Sequence, residues 1–163
     1  MYYTVYNAPI GELYILEKDG VIIEVMFDDE PFLAKKRAAK VKEEDTSVLR
    51  EAKKQLDEYF RGERKTFDLP LEQAGTPFQE QVWEALSAIP YGESKSYADI
   101  AEAIGNPKAV RAIGQANRRN ALPIFIPCHR VIGKDRSLTG YAGTKTDMKA
   151  VLLDLEGISF IKK

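Results

Sequence analysis

The chain contains one cysteine and one histidine, and they are neighbours: Cys128 and His129, inside Ile124-Phe125-Ile126-Pro127-Cys128-His129-Arg130-Val131. Placed independently along 163 positions, two residues would be adjacent in roughly one arrangement in eighty, so the pairing asks for a chemical reason. A thiolate is the best nucleophile among ordinary side chains, and imidazole is the base or cation that activates it. The uncharged, proline-bracketed segment ahead of the pair predicts a buried site, and Arg130 adds positive charge beside it. The pattern is that of one reactive sulfur delivered to an electrophile.

A single cysteine forms neither an internal disulfide nor a Cys-rich zinc site, and no second thiol is present to resolve a mixed disulfide. The expectation is a free thiol in a reducing, cytoplasmic setting, with no metal and no organic cofactor. No stretch of eighteen apolar residues marks a membrane span, and residues 1–6 lack a charged-then-apolar leader pattern. Formal net charge is −1, yet residues 105–136 hold Lys108, Arg111, Arg118, Arg119, Arg130, Lys134 and Arg136 against Asp135, a local +6 that leaves −7 elsewhere. A basic region on a near-neutral chain suits a phosphate backbone. Nucleotide chemistry is disfavoured, because G-x-x-x-x-G-K-[ST] is absent and Gly143-Thr144-Lys145-Thr146 lacks the phosphate-cradling glycine spacing.

The elements that must position the pair follow from periodicity and turn residues. Residues 2–6, 12–17 and 21–27 read as strands, with Asp19-Gly20 as a hairpin turn between the last two. Residues 47–60 read as a helix with Leu49, Ala52, Leu56, Tyr59 and Phe60 on one face, and residues 66–69 as a returning strand. The charge run Lys35-Lys36-Arg37 through Glu43-Glu44-Asp45 reads as a solvated helix or loop. A boundary near residues 73–77 separates an N-terminal α/β domain, 1–75, from a C-terminal domain, 76–163. Thr76 as N-cap and Pro77 in the first turn open a helix through Val82, Trp83, Leu86 and Ile89. Residues 96–104 and a helix capped by Asn106 and starting at Pro107 form a helix-turn-helix around Gly105. Residues 146–155 form a last helix with Met148, Val151, Leu152 and Leu155 inward. The fold class is α/β (α+β), a small N-terminal sheet and helix packed on a mainly helical C-terminal domain.

With these residues in view, the C-terminal half resembles the O6-alkylguanine-DNA alkyltransferases. The resemblance rests on five ordered blocks: Ser96-Tyr97, Gly105-Asn106-Pro107-Lys108-Ala109-Val110-Arg111-Ala112-Ile113-Gly114, Asn120-Ala121-Leu122-Pro123 running into Pro127-Cys128-His129-Arg130-Val131, Gly140-Tyr141-Ala142-Gly143, and Leu152-Leu153-Asp154-Leu155-Glu156-Gly157. It implies direct-reversal DNA repair, in which Cys128 takes an alkyl group from the guanine oxygen once and irreversibly. His129 would accept the thiol proton through a bridging water and Glu156 would orient the imidazole. Tyr97 would donate to N3 of a flipped-out guanine, and Asn120 would tie the turn before the active-site loop through side-chain-to-backbone bonds. Arg111 would fill the vacated stack from the minor-groove side of double-stranded DNA. Lys108, Ala109, Gly114, Arg118 and Arg119 would meet the DNA, with small Ala112, Gly114 and Ala116 allowing close approach. Pro123, Val131, Tyr141, Ala142 and Gly143 would wall the base pocket, and Arg130 would either neutralise a phosphate or pair with an internal acid, the second reading being favoured. A monomer is implied.

The chain departs from the family pattern at two places. Ala142-Gly143-Thr144 replaces a Ser-or-Ala followed by Gly-Gly, so no serine hydroxyl is available there, and residues 1–75 contain no Cys or His for the zinc that some members carry. Two other readings compete. A Cys-His hydrolase would place its two residues far apart in sequence. A helix-turn-helix damage sensor without chemistry would bind DNA as well without Cys128 as with it.

Overall fold

Asp19 and Gly20 both adopt positive φ, 53° and 82°, the backbone of a two-residue hairpin turn that matches the right-handed twist of its strands. They join β2 (Gly11–Lys18) to β3 (Val21–Met26). The computed structural model describes residues 1–27, 40–138 and 146–161. Its chain divides into two compact units, Met1–Gln73 and Ala74–Lys163.

In the first unit, β1 (Tyr2–Ala8) lies between β2 and a short β4 (Lys42–Glu43), giving a sheet of order β3-β2-β1-β4. The β1–β2 and β2–β3 pairs are antiparallel; β1–β4 is parallel. Helix α1 (Ser47–Phe60) is capped by Thr46, whose hydroxyl accepts from the Leu49 amide. It buries Leu49, Ala52, Gln55, Leu56 and Tyr59, in a unit whose sheet buries Leu13, Ile15, Leu16 and Ile22. Two expectations are corrected here. Glu43 lies in a strand, drawn in by amide bonds from Lys42 to Met1 and from Glu44 to Tyr3. Residues 66–69 are not a strand. Buried Gln55 clamps the Asp68 backbone from both sides (3.0 and 2.9 Å), and the chain reaches β3 only at Leu71, in a single bridge to Ile22.

The second unit opens with α2 (Pro77–Ser87), held by a reciprocal Thr76–Gln79 capping box and burying Val82, Trp83 and Leu86. The helix stops short of Ile89, which is buried beyond its end. Strand β5 (Lys95–Ser96) leads directly into α3 (Tyr97–Ala103), capped by Ser96 with Asp99. Gly105, at φ 76°, makes the left-handed turn that few other residues tolerate. The next helix, α4, spans Val110–Arg118, three residues later than Asn106 as a cap would place it. Pro107 instead sits second in a turn closed by the Ala109 amide on the Asn106 carbonyl (3.0 Å), a position that its fixed φ favours. Lys108 and Ala109 therefore belong to the turn. After Cys128–Arg130, a single 3₁₀ turn, β6 (Val131–Ile132) pairs in parallel with β5.

The last helix, α5 (Thr146–Leu155), is rotated from the expected face. Val151 is 41% exposed, while Lys149, Leu152, Leu153 and Glu156 are buried. That set has the i, i+3, i+4, i+7 spacing of one helix face, with a charge at each end. Leu153 packs with Ile132 and Ile158.

Candidate active site

The reactive sulfur is inside the protein. Cys128 is 3% exposed and His129 fully buried, in an unbroken buried run from Leu122 to Ile132. Asn120 shapes the approach as expected, through backbone bonds: its Nδ2 donates to the Ile126 carbonyl and its Oδ1 accepts from the Leu122 amide, both at 3.0 Å. Inside that loop Ile124 is held at φ 75°, a strained conformation for a β-branched residue, of a kind that clusters at functional sites.

Helix α5 supplies the partner acid. Glu156, one residue past its end, has Oε2 at 2.7 Å from His129 Nε2. Arg130 grips the same carboxylate through Nε (2.8 Å) and Nη2 (3.2 Å), and its Nη1 donates to the Ile89 carbonyl (2.6 Å). The Gly92 amide also donates to Oε1 (3.2 Å). Arg130 thus pairs with an internal acid. Burial, chiefly, holds the His129 pKa below its usual value, with the Arg130 and Lys149 charges adding to it and Glu156 opposing. The imidazole is therefore neutral near pH 7, donating its Nε2 proton to Glu156. Nδ1 is itself buried; a ring with its proton on Nε2 and its lone pair on Nδ1 is the tautomer that a nucleophile-base-orienter arrangement uses.

Three links tie this array to the rest of the unit. Asn117 on α4 directs Nδ2 at the Cys128 carbonyl (3.5 Å), and Trp83 on α2 donates to the Ala116 carbonyl (2.9 Å). The β5–β6 pair sets Lys95 against Val131 and Ser96 against Ile132, so Tyr97 starts α3 beside the strand that leaves Cys128. Pro123 and Val131 are buried within the Cys128 segment, and Tyr97 is half-buried. Tyr141, Ala142 and Gly143 lie outside the described residues.

Lys108, Arg111, Arg118 and Arg119 are exposed, while Ala109 and Gly114 are half-buried. A Cβ built on Gly114 meets nothing within 4 Å, so its smallness serves no internal packing. Ala116 is a correction: it is buried against Trp83 and not on the outer face. The sequence reading also missed Lys149, which is fully buried and donates to the Val131 carbonyl at 2.6 Å. Burial depresses its pKa to about 8, with the Cys128 charge acting in the opposite direction.

The second unit thus combines a buried cysteine, a buried His129–Glu156 pair and a helix-turn-helix. Residues 77–158 match the model of the 6-O-methylguanine DNA methyltransferase DNA binding domain, and residues 1–73 that of its ribonuclease-like domain. The chain belongs to the 6-O-methylguanine DNA methyltransferase family. It is 58% identical over 163 residues to the constitutive methylated-DNA–protein-cysteine methyltransferase of Bacillus subtilis (strain 168), covering 99% of each chain. It is 46% identical to the methylated-DNA–protein-cysteine methyltransferase of Methanosarcina acetivorans, covering 96% of this chain and 99% of that one. The structure of Mycobacterium tuberculosis OGT in complex with DNA superposes with a TM-score of 0.85 at 39% identity, covering 96% of this chain and 92% of that one.

Proposed function

We propose that this chain repairs alkylated DNA directly, moving an alkyl group from O6 of guanine to its own Cys128, one transfer per molecule. The observation that carries this reading is the buried array of Cys128, His129 and Glu156, with His129 Nε2 2.7 Å from the carboxylate in the unit that holds the helix-turn-helix. Family membership supports it. His129 Nδ1 takes the thiol proton, by way of a water; the thiolate attacks the alkyl carbon in line; the C–O6 bond breaks and its electron pair stays with guanine, which is protonated as it leaves. Tyr97 donates to guanine N3 and offsets the charge that develops there. A thioether has no leaving route comparable to an ester, so the protein is spent.

Because Cys128 is 3% exposed, the base must come to it. That requires flipping it from the stack, at a cost of a few kcal/mol. Arg111, exposed in the first turn of α4, occupies the gap from the minor groove, and Gly114 lets the helix approach the backbone closely. Lys108, Arg118 and Arg119 neutralise phosphates, which makes binding weaken with salt. Pro123 and Val131, with Tyr141, Ala142 and Gly143, form the pocket, and the protein acts as a monomer. Intact mass after incubation with methylated duplex tests this: one methyl per molecule is expected, on Cys128. Multiple lesions cleared per molecule, or none with the protein mass unchanged, overturns it.

A further inference from the structure

Lys134 and Arg136 belong to the basic window of the sequence, yet neither lies on the helix-turn-helix. They stand in the tight turn that follows β6. The Arg136 amide donates to the Gly133 carbonyl (2.8 Å), the Gly133 amide donates to the Ser137 carbonyl (2.9 Å), and Arg136 has φ 68°. A tight turn closed by a residue in the left-handed region is the G1-bulge arrangement, whose left-handed residue is ordinarily glycine. An arginine there carries a backbone penalty that glycine avoids. The turn is nevertheless fixed: Asp135 Oδ1 accepts from the Ser137 amide (3.0 Å), and the Arg136 carbonyl accepts from the Ile161 amide (2.7 Å). Both cations are exposed. The β5–β6 register sets Ser96 against Ile132, so the turn leaves β6 beside the start of α3, where the Lys95 and Lys134 charges both bear on Asp99. That carboxylate is engaged by the Ser96 amide (2.9 Å). Among the described residues, no carboxylate forms an ion pair with Lys134 or Arg136.

We propose that the turn at residues 133–136 is a second phosphate-binding element, in which Arg136 and Lys134 hold the DNA backbone beside the extruded nucleotide, apart from the contacts made by α4. The inference rests on the reading that this unit binds DNA and takes a flipped base at Cys128. The two residues of β6 carry the chain only about 7 Å beyond the Cys128 turn. Long cationic side chains starting there meet the backbone of a nucleotide whose base is seated at the sulfur. Lys108, Arg118 and Arg119 hold phosphates from the helix-turn-helix, and the turn holds them from the β5–β6 side. Such contacts fix the position of the backbone without reading sequence, and gripping it at the gap offsets the cost of extruding a base. A task at the DNA accounts for an arginine where glycine would relieve the backbone.

Two measurements on the full chain test this. Affinity for an unmodified duplex is measured across a salt series for wild type, Arg136→Gly, Lys134→Ala and a control, Lys54→Ala, which removes an exposed cation from α1. Each turn variant should reduce the slope of log affinity against log salt by about 0.9, which is about eightfold weaker binding at about 0.1 M salt. The control should leave the slope where it was. A wild-type slope in both turn variants, or an equal reduction in the control, overturns the proposal. Thermal melting is the second measurement. Arg136→Gly should melt no lower than wild type, because glycine relieves the backbone at that position. A clear fall in its Tm would make Arg136 a folding residue and overturn the proposal. Transfer from a free alkylguanine base, which offers no phosphate, should proceed at the wild-type rate in both turn variants. If wild type takes no methyl from DNA while the slopes shift as stated, the repair reading fails and the phosphate contacts stand. If methyl is transferred and the slopes do not shift, the repair reading stands and the turn lies outside the interface.

Discussion

Glu156→Gln is the sharpest test of the active-site array, because the substitution keeps shape and removes one charge. The amide oxygen, placed as Oε1, still accepts from Arg130 Nε and the Gly92 amide, at 2.8 and 3.2 Å in the parent. The amide nitrogen then stands where Oε2 was, facing His129 Nε2 (2.7 Å) and Arg130 Nη2 (3.2 Å). Donor meets donor at the arginine, whose buried charge has lost its counter-ion. Breaking one side of a buried ion pair costs about 3–5 kcal/mol. For a chain of this length, each kcal/mol lowers Tm by about 2–4 °C, so a fall of about 6–20 °C is expected. At the histidine, the new donor favours the tautomer with its proton on Nδ1, which removes the base that the proposed reaction gives the thiol. Losing general-base assistance costs about 10²–10⁴ in rate. The assay pairs urea denaturation with single-turnover methyl transfer at a temperature where the variant is fully folded. A variant within about 1 kcal/mol of wild type and transferring at a comparable rate would refute the ion-pair and tautomer arguments together. Lost stability with undiminished transfer would refute the tautomer argument alone.

Other substitutions and conditions separate the remaining parts of the site. Burial lowers the His129 pKa below 6.5, so below that pH the unfolded chain binds the extra proton. Stability contributed by the neutral imidazole is present above about pH 6.5 and is lost as pH falls toward the folded value, at up to about 1.4 kcal/mol per unit; chemical denaturation at pH 7 and 5 measures it, and a flat profile contradicts it. Gly114→Ala should stabilise α4 by about 1 kcal/mol, since a Cβ there meets nothing within 4 Å, yet weaken binding to duplex DNA; unchanged affinity would remove this face from the interface. Arg111→Ala should slow repair in duplex DNA more than attack on a free alkylguanine base, and equal losses on both would remove its role in flipping. Asn120→Ala deletes both 3.0 Å bonds of the loop and should cost about 1–3 kcal/mol, read by thermal melting.

Most of the architecture was legible because local chemistry and tertiary packing agree. Thr46, Thr76 and Ser96 cap α1, α2 and α3, and Asp19-Gly20 turns between β2 and β3. The short strands β4 and β5 were not, since Lys42–Glu43 and Lys95–Ser96 carry no apolar alternation. Two-residue strands exist because a partner recruits them, and that partner is distant in sequence. The start of α4 failed for a related reason: Asn106-Pro107 serves equally as cap-and-first-turn or as the corner of a tight turn, and the preceding helix chooses between them.

The misread face of α5 is more informative than these. Hydrophobicity selects Val151 as inward, because Lys149 and Glu156 count against the stripe that is in fact buried. Patterning rules treat a charge on an inward face as an error unless the site requires it. Here both charges have buried polar partners: Glu156 meets His129 Nε2 at 2.7 Å and Arg130 Nε at 2.8 Å, and Lys149 donates to the Val131 carbonyl at 2.6 Å. A helix face that ends in opposite charges two turns apart, beside a buried nucleophile, is a signature of chemistry that hydrophobic periodicity discards.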